Sequence, residues 1–127
     1  MENLNKVFLD YINNVSLQGE LGVATAFLNH VSNHGTILAA ELPDDMADEY
    51  LAVMSGASKY YAVFTSQEEA EFASAGTVVE KNLDELVDKC LATTDIKGFC
   101  INPYNPSPCL ISRYYIQAMM MAEAGAF

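Results

Sequence analysis

The chain has 127 residues, an ordinary length for one domain and enough to bury a hydrophobic core without a disulfide or a metal. Its 17 acidic residues outnumber its 6 basic residues and give a net charge of -11, which argues against nucleic acids and anionic membranes as partners because both are bound through clustered Lys and Arg. The hydrophobic share of 51% includes no apolar run near the ~18 residues that span a bilayer. The simplest explanation of the negative charge is that it keeps the protein soluble. The alternative is a surface that binds a basic partner, such as a basic protein or a divalent cation.

The N-terminal stretch MENLNKVFLDYINN has no basic region leading into an apolar one, so the sequence predicts a cytoplasmic protein. The three cysteines form no C-x-x-C pair, which argues against a disulfide framework and against a paired-thiolate zinc site. Cys90 and Cys100 fall in apolar patterns and are expected to be buried thiols. Cys100 and Cys109 flank a predicted loop, and a chance disulfide between them is the alternative.

The first third of the chain reads as two helices followed by a strand. Apolar residues repeat at helical spacing in each helix: Val7, Phe8, Tyr11, Ile12 and Val15 in the first, then Leu21, Ala24, Phe27, Leu28 and Val31 in the second, after a break near residues 16–19. Gly35 suits the left-handed position that ends a helix. Residues 36–42 then predict a strand.

The middle third begins with PDDMADEY, residues 43–50, which contains Asp44, Asp45, Asp48 and Glu49. This cluster lacks the ligand spacing and central Gly of a calcium loop, so a solvated loop or a short helical turn is predicted. Residues 50–55 and 59–64 predict two strands joined by a turn at 56–58. The second strand is apolar on both faces, which predicts a central position in the sheet or partial cover by a partner. A short helix should follow over 66–73.

The last third alternates between strands and helices. Residues 77–81 predict a strand, and Asn82 with Glu85 fits a capping box at the start of a helix with an apolar stripe. Residues 98–102 and 109–112 predict strands on either side of a proline-rich loop, and Ser112 suits the cap of a final helix whose packed face includes Tyr115 and Met119. The whole order, α-α-β-β-β-α-β-α-β-β-α, predicts one α+β domain over residues 1–127, with a mixed sheet of five to six strands.

Two neighbouring hydroxyls, Thr65 and Ser66, lie at a predicted turn from strand to helix, where some hydrolases display a nucleophile. The nucleophile elbow needs a Gly two residues before and two residues after the nucleophile, and neither hydroxyl has them. Both hydroxyls instead precede a Glu by three residues, as in a capping box. The sequence therefore favours helix capping.

Two histidines, His30 and His34, are four residues apart, the spacing at which two imidazoles on a helix can share a metal. No Glu follows the first histidine and no third ligand is apparent. Imidazoles in the last turn of a helix also interact favourably with its dipole. A surface role is predicted, and no metal or other cofactor is expected.

Two further segments are candidate recognition surfaces. The loop NPYNPSP is stiffened by three prolines and presents an aromatic residue, a combination that serves recognition and equally serves a tight connection between strands. The C-terminal helix has more apolar residues than one packed stripe can use, so Tyr114, Met120 and Met121 are expected at an interface.

The stretches YYAVFTSQEEA and GFCINPYNPSPCLIS together resemble the N-terminal domain of the SseB (enhanced serine sensitivity protein B) family. The matching positions are Phe64, Thr65, Ser66, Glu68, Glu69, Gly98, Ile101, Asn102 and Pro103, and the similarity covers roughly residues 15–115. The resemblance implies a small cytoplasmic bacterial α+β domain with no established catalytic activity. Longer family members have a second domain, so roles that depend on that domain are not carried over.

These observations predict a non-catalytic binding domain whose partner is another protein or a second copy of this chain. The candidate binding residues are Phe64, Thr65, Ser66, Asn102, Pro103, Tyr104 and Asn105. A hydrolase or transferase that uses Thr65 or Ser66 with an adjacent His or Asp is the alternative, and it requires the imidazole of His30 or His34 within hydrogen-bond distance of the hydroxyl. A weaker alternative is an acidic, inhibitor-like protein that masks a basic partner.

Overall fold

The computed structural model describes residues 1–46, 48–73 and 75–123, so the last residues of the predicted domain, 124–127, lie outside the described part. The helices in this part are α1 (Glu2–Asn13), α2 (Leu17–Ser32), α3 (Gln67–Ala70), α4 (Leu83–Ala92) and α5 (Arg113–Glu123). The strands are β1 (Thr36–Glu41), β2 (Ala52–Ser55), β3 (Ser58–Phe64), β4 (Thr77–Asn82), β5 (Ile96–Ile101) and β6 (Cys109–Ser112). The α+β class and the order of elements predicted from the sequence are confirmed.

The strands form one mixed sheet in the order β4-β1-β3-β5-β6, and β2 pairs with the first half of β3. The central pair, β3 and β5, is parallel, whereas every other pair is antiparallel. Parallel neighbours need a long connection, and here it consists of α3, β4 and α4. The predicted central position of β3 is confirmed, since Tyr61, Ala62, Val63 and Phe64 are all buried.

The two faces of the sheet are covered unequally. One face carries the main core, in which large side chains of α1, α2, α4 and α5 pack against strand residues such as Phe99 of β5: Phe8, Phe27, Leu86 and Ile116. The other face carries a smaller cluster of Leu38, Ala40, Leu51, Ala62 and Phe64, covered in part by Ala70 of α3. The apolar alternation of β3 serves both cores, which explains why the sequence shows apolar residues on both of its faces.

The end of α2 differs from the sequence prediction. The left-handed residue is His34, with φ 56°, and Gly35 has another role. A Cβ at Gly35 would overlap the imidazole ring of His30, so a side chain is excluded there by close approach and not by backbone conformation.

Three side chains predicted in packed stripes are exposed: Val15 follows the end of α1, Leu21 lies in the N-terminal part of α2, and Met119 lies in the C-terminal part of α5. Periodicity does not show how far a helix extends beyond the core, so residues near the ends of helices are misassigned most easily. The capping box at Asn82 is also wrong, because the Asn82 amide donates to Glu85 Oε1 at 3.3 Å and accepts no helix N–H. Among the described residues, no helix is long and apolar enough to cross a membrane.

Candidate functional site

The predicted binding residues come from two distant stretches of the chain, and the structure brings them together where β3 and β5 end. Because these strands are parallel neighbours, the residues that follow each strand meet at one edge of the sheet. The Asn102 N–H continues the pairing by donating to the Val63 carbonyl at 2.8 Å. We call Phe64, Thr65, Ser66 and residues 102–105 the turn cluster.

The centre of the turn cluster is a paired hydrogen bond between Asn102 and Thr65. The Asn102 Oδ1 accepts from the Thr65 N–H at 3.0 Å, and the Asn102 Nδ2 donates to Thr65 Oγ1 at 2.9 Å. The Thr65 hydroxyl in turn donates to Asn5 Oδ1 of α1 at 2.7 Å. Both residues are buried, and Asn102 adopts φ 51°, a left-handed conformation that Asn tolerates better than most residues. This network ties α1 to the ends of both central strands.

Of the two neighbouring hydroxyls that were predicted to cap α3, only that of Ser66 does so. Ser66 is the N-cap of α3, and its Oγ accepts from the Glu69 N–H at 3.3 Å. Thr65 does not cap the helix, because its hydroxyl faces inward to Asn5 and Asn102. Capping is therefore confirmed for Ser66, whereas Thr65 belongs to the buried network.

The proline-rich loop is fastened over the turn cluster at several points. The Tyr104 ring is stacked on the buried Phe64 ring, with centroids 6.3 Å apart and an interplanar angle of 12°. The Asn105 side chain donates to Glu69 Oε1 at 3.1 Å and accepts from the Ser107 N–H at 3.0 Å. The loop therefore has a defined shape with Tyr104, 38% exposed, on its outer side.

The prediction that all seven residues form a surface needs a correction. Phe64, Thr65 and Asn102 are buried and support the loop from below, because the aromatic stack and the paired hydrogen bond face the protein interior. Ser66, Pro103 and Asn105 are half-buried, and Tyr104 is exposed. The accessible part of the turn cluster is therefore the loop.

A cleft of about 310 Å³ lies beside this loop, and we call it the loop cleft. It is lined mainly by apolar groups from the loop and from strands β2, β5 and β6: Pro103, Tyr104, Pro108, Val53, Met54, Cys100 and Leu110. Glu20 of α2 also lines it. A rigid apolar cleft beside an aromatic side chain can receive an apolar side chain of a ligand.

A second cleft, of about 330 Å³, lies beside the acidic segment, where Ala47 is outside the described residues. The carboxylates Asp48 and Glu49 form ion pairs with Lys59, at 3.0 Å, and with Lys89. The hydrogen bond that the Lys59 ammonium donates to Asp48 raises the pKa of Lys59, which keeps this lysine cationic. These two carboxylates are therefore already neutralised by lysines.

The histidines do not form the metal pair that their spacing allows. His30 Nε2 donates to the Thr36 carbonyl oxygen, with 2.5 Å between the two atoms, whereas His34 lies beyond the end of α2 and contacts Asp84 Oδ2 at 3.0 Å. The hydrogen bond from His34 lowers the pKa of Asp84. Within residues 1–46, 48–73 and 75–123, no group of three His, Cys, Asp or Glu side chains is placed to hold a metal.

The three cysteines are free and buried, and Cys100 and Cys109 do not pair. In the register of β5 with β6, Cys100 lies opposite Leu110 and Cys109 lies opposite Ile101. Successive residues of a strand face opposite sides of the sheet, so the two thiols point away from each other. Burial raises the pKa of Cys90 and Cys100 to about 11 and that of Cys109 to about 12.

We expect the native protein to resist a thiol reagent such as dithionitrobenzoate at about pH 8, because a thiol with so high a pKa forms almost no thiolate there. The same reagent should label all three cysteines once urea unfolds the chain. The absorbance of the thiolate that the reagent releases measures the labelling of the native and of the unfolded protein. Rapid labelling of the native protein would contradict the buried placement.

The C-terminal helix presents the apolar residues predicted for an interface. Tyr114, Met120 and Met121 are exposed, while Ile116 of the same helix is fully buried. Its first residue, Arg113, donates to the carbonyl oxygens of Leu91, Thr93 and Ile96 at 2.9 Å each, and the Ser112 hydroxyl accepts from the Tyr114 N–H. The start of α5 is therefore fixed to the end of α4, and its outer side remains accessible.

Comparison with protein-family models, with curated proteins and with solved structures finds no match to this chain. The turn cluster, the loop cleft and the exposed side of α5 are therefore the observations on which a function can be based.

Proposed function

We propose that this chain is a non-catalytic protein-binding domain, similar to the SseB N-terminal domain, which acts in the cytoplasm through the loop cleft. The observation that carries the proposal is Tyr104, which is partly exposed, stacked on Phe64 and placed beside an apolar cleft. Aromatic residues in such positions contribute strongly to protein interfaces, because they bury a large area.

Preorganisation of the loop supports this role. Asn102 fixes one end of the loop to Thr65, and Asn105 joins its middle to Glu69 of α3. Pro103, Pro106 and Pro108 restrict the backbone between and beyond these points. A loop with this many constraints loses little conformational entropy when a ligand binds, so more of the contact energy becomes affinity.

The surroundings of the two hydroxyls favour binding over catalysis. Thr65 Oγ1 bonds with the side-chain amides of Asn5 and Asn102, and Ser66 Oγ accepts from a backbone N–H. An amide is too weak a base to remove a proton from a hydroxyl, whereas a nucleophilic Ser or Thr needs such a base. The imidazole of His30 is engaged with the Thr36 carbonyl and that of His34 with Asp84.

The test is affinity capture from the native cell with the wild-type chain and two variants. We expect Tyr104→Ser to reduce capture of the specific partner roughly tenfold or more, as for an aromatic residue at the centre of an interface. Phe72→Ser is the matched control, because Phe72 is an exposed aromatic residue that does not line the loop cleft. Mass spectrometry quantifies the captured protein, and circular dichroism checks the fold.

Equal capture by both variants would exclude the loop cleft as the binding surface. A hydrolytic activity that disappears in Ser66→Ala, with the fold intact, would contradict the non-catalytic assignment. A second copy of the chain is the other candidate partner, and α5 with Tyr114, Met120 and Met121 is the surface we propose for it. Analytical ultracentrifugation of the wild type distinguishes self-association from binding of another protein.

A further inference from the structure

The two strands that end the sheet, β4 and β6, differ in how their open edges are protected. β4 includes the charged residues Glu80 and Lys81, and charged side chains on an edge strand discourage pairing with another chain. β6, with the sequence Cys-Leu-Ile-Ser, includes no charged residue, and β5 is its strand neighbour. The β6 edge therefore lacks the protection that the β4 edge has.

Apolar depressions lie on both sides of the β6 edge. On the face that carries Cys100 and Leu110 lies the loop cleft. On the helical face lies a depression of about 220 Å³, which we call the helix cleft, and its apolar lining comes from α2, β6 and α5: Leu17, Leu21, Ala24, Ile111 and Tyr115. Leu110 lines both clefts and is 43% exposed, and Leu17 is 74% exposed.

This arrangement matches what an added strand requires. A strand that pairs with β6 presents alternate side chains to opposite faces of the sheet, so one set would face the loop cleft and the other would face the helix cleft. In strand addition, main-chain hydrogen bonds give affinity and pockets for alternate side chains give specificity. The edge of β6 offers main-chain groups for such hydrogen bonds, and the two clefts offer the pockets.

The charge around the two clefts indicates which kind of segment binds at β6. Glu20 lines both clefts, whereas no Lys or Arg of the described residues lines either one. The chain has a net charge of -11, so a second copy would bring another strongly acidic surface, and its own Glu20, to the same edge. A basic segment of a different protein is complementary in charge, and like charges would oppose a second copy.

We propose that β6 binds an extended segment of a partner protein by strand addition, and that this segment has a short run of apolar residues flanked by Lys or Arg. This inference rests on the proposed binding function and identifies the binding mode and the chemistry of the partner. Successive apolar residues of this run fill the two clefts on opposite faces of the sheet, and a flanking basic residue lies near Glu20.

The test uses a synthetic peptide in which a short run of Val is flanked by Lys, labelled with fluorescein and titrated with the full chain. Two further peptides carry N-methyl groups on alternate amides, one in each of the two possible frames. N-methylation removes a main-chain donor and keeps every side chain, so we expect one frame to abolish binding and the other to be tolerated. Fluorescence anisotropy measures affinity, and amide hydrogen exchange should show protection at β6.

Matched variants locate the peptide on the protein. We expect Leu110→Asp to weaken binding of the unmodified peptide about tenfold or more, and Leu9→Asp to leave it unchanged. Leu9 is a suitable control because it is 42% exposed, close to the value for Leu110, and lies on α1 away from both clefts. Glu20→Gln should make the affinity less sensitive to salt. Circular dichroism checks that each variant is folded.

The possible outcomes separate strand addition from the proposed function. Equal affinity for both N-methylated peptides, or binding that survives Leu110→Asp, would overturn strand addition. A concentration-dependent dimer lost in Leu110→Asp would show that a second copy occupies this edge, which also overturns the proposal. The capture experiment with Tyr104→Ser reports on the binding function independently of these results.

Discussion

Gly98→Ala is expected to lower the free energy of unfolding by about 3 kcal/mol or more, because the new methyl group meets backbone that cannot move aside. A Cβ at Gly98 would overlap the carbonyl oxygen of Ile111 and lie 2.9 Å from its carbonyl carbon. Gly98 also has φ +149°, a conformation that residues with side chains rarely adopt. The change would therefore push β6 away from β5.

Urea unfolding followed by circular dichroism measures this loss, and Gly22→Ala is the control. Gly22 lies inside α2, and no atom would lie within 4 Å of a Cβ there. Alanine stabilises a helix interior by roughly 0.5–1 kcal/mol relative to glycine, so this variant should be more stable than the wild type. If the two substitutions changed stability alike, the close approach of β5 and β6 would be refuted.

Asn102→Ala is expected to cost about 3 kcal/mol, because it removes the centre of the buried network. The Thr65 N–H would lose its acceptor, and an unsatisfied buried donor costs roughly 1–3 kcal/mol. The backbone at this position would also remain left-handed, which costs alanine about 1 kcal/mol more than glycine. Asn102→Gly should therefore recover about 1 kcal/mol of the loss, which separates backbone strain from hydrogen bonding.

Asn105→Ala provides the comparison within the same loop. Its side chain is half-buried and bonds with Glu69 and with the Ser107 N–H, so water can replace its partners and the loss should stay near 1 kcal/mol. Urea midpoints of the three variants give the differences directly. A larger loss for Asn105→Ala than for Asn102→Ala would mean that the loop contacts, and not the network below them, hold the turn cluster together.

Local patterns were sufficient to predict the order of helices and strands. Hydrophobic periodicity identified the helices, and the caps at Ser66 and Ser112 are present as expected. The errors occur where tertiary contacts decide. Gly35 accommodates the His30 ring, a contact that no local pattern reveals, and Met119 is exposed because residues 118–122 of α5 extend beyond the core.

Most residues of the candidate site were selected from the sequence, but the contacts between them were not predicted. Phe64 and Tyr104 were both selected from the sequence, but their stacking depends on the parallel pairing of β3 with β5. Asn5 was not selected at all, because a polar residue in the first helix carries no local indication that its amide meets Thr65. The open edge of β6 is likewise a property of the sheet order, which the pattern of strands leaves undetermined.

The parallel pair at the centre of the sheet has a consequence for how the chain folds. Thr65 and Asn102 are separated by 37 positions, and the segment between them contains α3, β4 and α4. Closing a long loop carries an entropic cost before its contacts form, so pairings of high sequence separation slow folding. The β2 and β3 hairpin can form early from neighbouring residues, whereas the turn cluster is completed only when β5 docks. A newly synthesised chain would therefore acquire the loop cleft late, together with the centre of its sheet.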